Sequence, residues 1–550
     1  MNMERQSPFK ISLYTNDVLS DAECGRVRDF LAGPQVEAEV LTQEIIRLQA
    51  QLDDLTATRN QLNEFIHSHL ALVSPVRRLP DDILREIFIA SLPSKGNATL
   101  RASDTPILLC HVTRRWRNLA LSTPRLWATL HIIGLPVMQD NTRVDRMNDA
   151  ANAWLSRSGA LPLSISFVQG RPFFRRVDSN AMELHRSACK TFLDTLIKFA
   201  PRWGSVRFSI AQEFDITPLA EVAPEDVKML RSAAIDRWDD GIPFLGAHGL
   251  RALSLQVAEL PASLPIHWES LCHLTLVSAQ NDQMPAFNLV LPALRQCSRL
   301  ENLSVDFHFT MDPQPHPPCD LPHLRQLSVG GTAWGLVCCV NAPQLRILSC
   351  VLHRVPSLET PNPLVRLASR SNHLECLRLE LTAISGDTLM AVLRAVPTLR
   401  ELTLRGEPRT PGALRQRDGR LVSMLTPNPT STTICPQLQR LKLLSVHAFS
   451  DEDLLAFVLA RTHPNIDAAP DHITHLKEIA VQFDRRSQVD ILPTLDLQIA
   501  AGLKVSLLYQ QPQHNLEVYL DSRSNDSSYV WDPSAHEWDM PDVNGLYGHA

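Results

Sequence analysis

A chain of 550 residues, 44% hydrophobic and 20% charged, has the composition of a globular protein of roughly three or four domains, and its formal net charge of −6 gives no footprint for bulk nucleic-acid binding. No window reaches the ~18 uninterrupted apolar residues of a membrane span, and Met1 to Lys10 has no apolar core behind Arg5. An intracellular location, cytoplasmic or nuclear, is the expectation.

The first segment, residues 1–34, is expected to be weakly ordered. A long helix is predicted over 35–74. Leu41, Ile45, Leu48, Leu52, Leu55, Arg59, Leu62, Ile66, His69 and Val73 recur in alternating steps of four and three, with no proline or glycine between Gln35 and Val73. That is a coiled-coil seam. Glu and Asp dominate the other faces. Two arrangements stay open: a homodimer through 41–73, or packing in cis with the Arg59 head snorkelling to water.

Residues 75–131 read as a small all-α module. Pro80 suits the first turn of a helix, and Asp81 and Asp82 set negative charge against its N-terminus. Ile83, Leu84, Ile87 and Phe88 form an apolar face, and Pro93 stops the helix. Thr105-Pro106 signals a second helix with Leu108, Leu109, Val112, Trp116 and Leu119 on one stripe. Thr123-Pro124 ends it, and Leu126-Trp127 begins a short turn.

The order of Leu79-Pro80, Ile83-Leu84, Ile87-Phe88, Leu92-Pro93, Val112, Arg115-Trp116, Thr123-Pro124 and Leu126-Trp127 resembles the F-box, the motif by which substrate receptors dock on the Skp-type adaptor of cullin–RING ubiquitin ligases. The spacer from Ser94 to Asp104 is longer and more polar than is usual in that family. The resemblance implies an adaptor-binding face made by Leu79, Pro80, Ile83, Leu84, Ile87 and Phe88, with Val112, Trp116 and Trp127 shaping or supporting it.

From 132 to 510 the chain repeats the phrase Leu-x-x-Leu-x-Leu, beginning at Leu250, Leu271, Leu300, Leu324, Leu345, Leu374, Leu399, Leu438 and Leu476, with weaker forms at Trp203 and Leu230. Intervals of about 20 to 30 residues are those of repeat units that bury their leucines only by stacking. The pattern resembles the leucine-rich-repeat family, irregularly. Where that family carries Asn or Cys, this chain has Ala258, Ala279, His308, Thr332, His353, Thr382, Glu407, Val446 and Asp484. Convex-side helices are predicted at Asp387 to Ala395 and Asp451 to Arg461, and loop insertions near 405–436 and 464–471. Strands around Leu508-Tyr509 and Val518-Tyr519-Leu520 should cap the array, with 511–550 as cap and tail. The expected fold is thus α/β: an N-terminal coiled-coil helix, a small all-α F-box, then an irregular leucine-rich-repeat α/β solenoid.

Chemistry is hard to find in these parts. Phosphate-cradling, dinucleotide and nucleophile-elbow motifs are absent from the sequence. His472 and His475 beside Asp471 lack a third ligand nearby, and His67 and His69 lie too poorly on one helix face to chelate. The eleven cysteines hold no Cys-x-x-Cys pair, and Cys338-Cys339 reads as part of a buried strand. Neither a cofactor, a metal nor a catalytic residue is expected. The residue between the last two leucines of each phrase points away from the core, giving the row Ser254, Thr275, Ser304, Ser328, Ser349, Arg378, Thr403, Lys442 and Ala480. Its charged end, with Arg378, Glu380, Glu401, Arg405, Arg440 and Lys442, is the candidate target-binding site for an acidic partner. With the F-box resemblance, the expected function is that of a non-enzymatic substrate-recognition subunit of a Skp-cullin-F-box ubiquitin ligase, acting in ubiquitin-dependent protein degradation. A non-catalytic leucine-rich-repeat and coiled-coil scaffold is the alternative.

Overall fold

The computed structural model describes residues 18–94, 96–133, 142–169, 179–236, 241–257, 264–278, 287–307, 318–331, 333–352, 362–381, 384–406, 419–427, 433–446, 449–462 and 473–509. The chain forms two compact units, Met1–Glu86 and Ile87–Ala550.

In the first unit, helix α1 spans Asp21–Val73. Its start is set by Ser20, whose N–H and hydroxyl both donate to the Glu23 carboxylate, at 2.9 and 2.6 Å. The helix therefore begins inside the segment expected to be weakly ordered and continues through Pro34. Helix α2, Asp81–Ala90, starts after Pro80 with Asp81 and Asp82 in its first turn, and the division between the units falls within it.

In the second unit the single helix predicted after Thr105-Pro106 is two: α3, Ile107–Val112, and α4, Arg114–Leu121. Thr113 divides them. Its backbone is extended and its Oγ1 accepts the Trp116 N–H at 3.1 Å, so it serves as the cap of α4. The division buries Leu109 and Leu119 and leaves Leu108 and Val112 exposed. Trp127 then locks the corner, donating from Nε1 to the Ala120 carbonyl at 2.8 Å and meeting the Trp154 ring edge-on at 4.8 Å.

The strands follow as β1 (Thr129–Ile133), β2 (Leu163–Gln169), β3 (Trp203–Ile210), β4 (Ser232–Ile235), β5 (Ala252–Val257), β6 (His273–Ser278), β7 (Asn302–Phe307) and β8 (Cys319–Asp320). They continue as β9 (Gln326–Gly331), β10 (Val340–Asn341), β11 (Ile347–Leu352), β12 (Cys376–Glu380), β13 (Glu401–Arg405), β14 (Arg440–Val446), β15 (Glu478–Phe483) and β16 (Lys504–Leu508). β8 and β10 pair with each other; the other fourteen form one parallel sheet in chain order. Between them lie α5 (Thr142–Arg157), α6 (Ser179–Ile197), α7 (Thr217–Ala220), α8 (Phe287–Gln296), α9 (Trp334–Cys339), α10 (Pro363–Arg370) and α11 (Gly386–Ala395). The last are α12 (Gly419–Leu425), α13 (Asp451–Thr462) and α14 (Asp496–Ala500). The chain is α/β, built on one long parallel sheet with many helices.

Register explains the repeated phrase. Leu253, Leu274, Leu303, Leu327, Leu348, Leu377, Leu402, Leu441 and Ile479 are successive cross-strand partners, and each is buried. The leucine side faces the helices, as where Phe167 of β2 stacks on Phe192 of α6 at 5.4 Å. The first leucine of each phrase from Leu250 to Leu438 closes a four-residue turn, for example Leu250 N–H to Ala247 O at 3.0 Å and Leu271 N–H to Trp268 O at 3.2 Å, whereas Leu476 N–H donates to Arg461 O at 3.2 Å.

Backbone bonds tie each strand to the next where it begins. The carbonyl of the residue after that first leucine accepts two N–H groups from the next repeat. Arg251 O takes those of Cys272 and His273, Cys272 O those of Glu301 and Asn302, and Glu375 O those of Arg400 and Glu401, all at 2.8 to 3.0 Å. Of the nine Asn-position residues, only Val446 and Asp484 lie among the described ones.

Other expectations shift. Cys338 and Cys339 lie in helix α9, not in a strand. Helix α12 occupies part of the insertion predicted near 405–436, whereas 464–471 and 511–550 fall outside the described residues, as do Asp471 and His472. The polar Ser94 to Asp104 spacer has a structural task. Thr99 forms a parallel bridge to His131, and the His131 N–H donates to Ala98 O at 2.6 Å, covering the free edge of β1.

Candidate functional site

The residues assigned to adaptor binding divide into two sets. Within α2, Leu84 and Phe88 are buried, while Ile83 and Ile87, one turn apart, are 47% and 46% exposed. Leu84 and Phe88 therefore serve as core rather than as contact residues. The Phe88 ring packs on Trp116 at 4.8 Å. Trp116 and Leu79 are half-buried, Pro80 is exposed and Trp127 is buried. On α3 the exposed pair is Leu108 and Val112, at i and i+4. Sequence reasoning had placed Leu108 on the same stripe as the buried Leu109, because it treated α3 and α4 as one helix.

The row predicted from the repeats is a true ladder. Ser254, Thr275, Ser304, Ser328, Ser349, Arg378, Thr403, Lys442 and Ala480 are neighbours in register, extended upstream through Ala234, Arg207, Ser166 and His131 and downstream to Ser506. It lies on the face away from the leucines. Solvent access along it is uneven, since Ser328, Ser349, Thr403 and Ala480 are buried. Ser349 Oγ and Thr403 Oγ1 have no hydrogen-bond partner among the described residues. A buried hydroxyl without a partner costs about 1–3 kcal/mol, so Ser349→Ala and Thr403→Val should each raise stability or leave it unchanged. A lowered melting temperature in both would show that these hydroxyls are engaged.

The charged end is internally matched. Glu401 accepts from Arg440 Nε and Nη2 at 2.9 and 2.7 Å and from Arg378 Nη2 at 3.5 Å, and Lys442 lies 3.7 Å from Glu478. Burial alone would raise the Glu401 carboxyl, but the Arg440 hydrogen bond and the charges of Arg440, Arg378 and Lys442 outweigh it and hold the group below the usual range. Glu380 and Arg405 are cross-strand partners on the neighbouring rung. An acidic ligand here would compete with Glu401 and Glu478 for their cations.

Groups able to hold a metal ion are absent among the described residues. The thiols are free, and burial pushes those of Cys189, Cys297, Cys339, Cys350 and Cys435 up to about 12. Thiols so raised are poor nucleophiles. No helix among the described residues is long and apolar enough to cross a membrane.

No protein-family model and no curated protein matches this chain. Among solved structures it is similar to the TLR13–ssRNA13 complex, with 13% identity and a TM-score of 0.18 over 53% of this chain and 57% of that one. The match thus spans somewhat more than half the length of that protein.

Proposed function

We propose that this chain is the substrate-recognition subunit of a Skp-cullin-F-box ubiquitin ligase, docking the Skp-type adaptor through residues of 75–131 and a target protein through the helix-free face of the repeat array. The reading rests on the F-box-like order of residue pairs, and one observation supports it most. Large apolar side chains stay in solvent on short helices that already have a buried face: Ile87 on α2, and Leu108 and Val112 on α3. Their exposed area supports a reading of these helices as a docking surface. The receptor supplies proximity, raising the effective concentration of a target lysine near a ubiquitin thioester carried by another subunit.

The test substitutes exposed positions. Ile87→Asp with Val112→Asp should weaken capture of a purified Skp-type adaptor by more than tenfold while leaving the melting temperature unchanged, each anchor contributing about 1–2 kcal/mol or more. Equal capture by the double variant would refute docking at these residues. Capture without ubiquitin transfer in a reconstituted ligase would favour the scaffold reading.

A further inference from the structure

We infer that α1 is a homodimerisation device: two copies of this chain pair through an antiparallel two-stranded coiled coil centred near Ala57. The apolar seam residues are all exposed, from 49% at Ile66 to 69% at Leu55, on a helix with no buried residue among the described ones. In heptad terms Ile45, Leu52, Arg59, Ile66 and Val73 take the a positions, and Leu41, Leu48, Leu55, Leu62 and His69 the d positions.

The seam is complementary to itself. Run antiparallel about Ala57, Leu41 meets Val73 of the second copy, Ile45 meets His69, Leu48 meets Ile66, Leu52 meets Leu62, and Leu55 meets Arg59. Every seam position is matched, and each polar side chain lies on an aliphatic one that its stem can cover. In a parallel pair, by contrast, a faces a and d faces d. Arg59 would then oppose Arg59, and like charges placed side by side repel. Antiparallel helices also oppose their macrodipoles favourably.

The flanks raise no objection. Positions e and g carry Thr42, Gln49, Thr56, Asn63, Gln51 and Thr58, all uncharged, and the apolar Phe65, Leu70 and Leu72, with Glu44 at g the one acid among them. The acids that dominate the remaining faces sit outside, as Asp53, Asp54 and Glu64. Glu44 is held within its own helix by Arg47 at 2.6 Å. The size is adequate too. Residues 41–73 extend about 50 Å, and seam plus flanking Phe65, Leu70 and Leu72 offer on the order of 800 Å² of apolar surface per partner, the scale of a stable interface.

The test uses the full chain. Light scattering at micromolar concentration should return twice the 61.6 kDa chain mass, and Leu48→Asp with Leu55→Asp should return a monomer whose far-UV spectrum and melting temperature for the repeat array are retained. A monomeric native chain, a trimer, or a dimer that survives the double variant overturns the proposal. Orientation is read by oxidation. A Leu41→Cys chain mixed with a Val73→Cys chain should form a disulfide-linked dimer above the background of the native thiols. Linkage of Leu41→Cys chains to one another instead would overturn the antiparallel pairing.

Discussion

Arg461→Met is expected to lower stability by about 3–5 kcal/mol. Arg461 is wholly buried near the C-terminal end of α13, with no carboxylate paired to it among the described residues. Among the described residues its guanidinium donates to carbonyls: Leu425 O from Nε and Nη2 at 3.1 and 2.8 Å, Cys435 O from Nη1 at 3.0 Å, and Ile434 O from Nη2 at 2.9 Å. Leu425 is the last residue of α12, where the helix dipole is negative. One planar fork therefore closes α12, holds the turn before β14 and anchors α13. Burial pushes the group down to about 10, still well above neutrality, so the cation persists. Methionine fills much of the volume but leaves three dry carbonyls without donors. Lysine keeps the charge yet cannot span three acceptors in one plane, so Arg461→Lys should fall between. Hydrogen exchange of the α13 amides should accelerate by roughly a thousandfold in Arg461→Met. A change below about tenfold would mean that the surrounding backbone repairs itself.

Asp451→Asn should cost a similar ~3–5 kcal/mol at neutral pH, and its effect should vanish in acid. Asp451, also wholly buried, opens α13. Its Oδ1 accepts from Arg485 Nη2 at 2.6 Å and the Tyr509 hydroxyl at 3.2 Å, and its Oδ2 from the N–H groups of Gln488 and Val489 at 2.7 and 2.9 Å. Burial raises this carboxyl, but Arg485 and the two backbone donors bring it below its ordinary value. An amide keeps the shape and turns a donor toward donors. Because the folded state holds the carboxyl below its unfolded value near ~3.9, the stabilisation is complete above that value and is lost as pH falls through the folded one. Unfolding free energies of the two proteins should differ by a constant amount from pH 7 to about 5 and converge below about 4. A gap that stays constant down to pH 3 would mean that charge is not what Asp451 contributes.

Neither residue was legible in the sequence, where Asp451 and Arg461 look like solvated charges matching a helix dipole. What buries them arrives from elsewhere in the chain: Leu425, Ile434 and Cys435 on one side, Arg485, Gln488 and Val489 on the other. The strands were legible because an alternating leucine phrase states its own register. The upstream strands β1 and β2 lack the phrase and were missed, though Ile165 and Phe167 alternate properly. The division at Thr113 was missed because an apolar stripe at helical spacing outweighed a single β-branched cap. For the candidate surfaces, the ladder from Ser254 to Ala480 was readable rung by rung. Which of Ile83, Leu84, Ile87 and Phe88 face water was not, since all four are apolar and only packing separates them.

In the large sheet, chain order and spatial order coincide. During synthesis each strand of that sheet after β1 therefore finds its first partner already made, and none waits for a distant downstream one. Each step closes a single connection of 15 to 34 residues rather than the length of the chain, and the entropic cost of closure rises only slowly with that length. The sheet can be laid down in the direction of translation, with a single advancing edge that moves from β1 to β16 and no long-lived unpaired strands behind it.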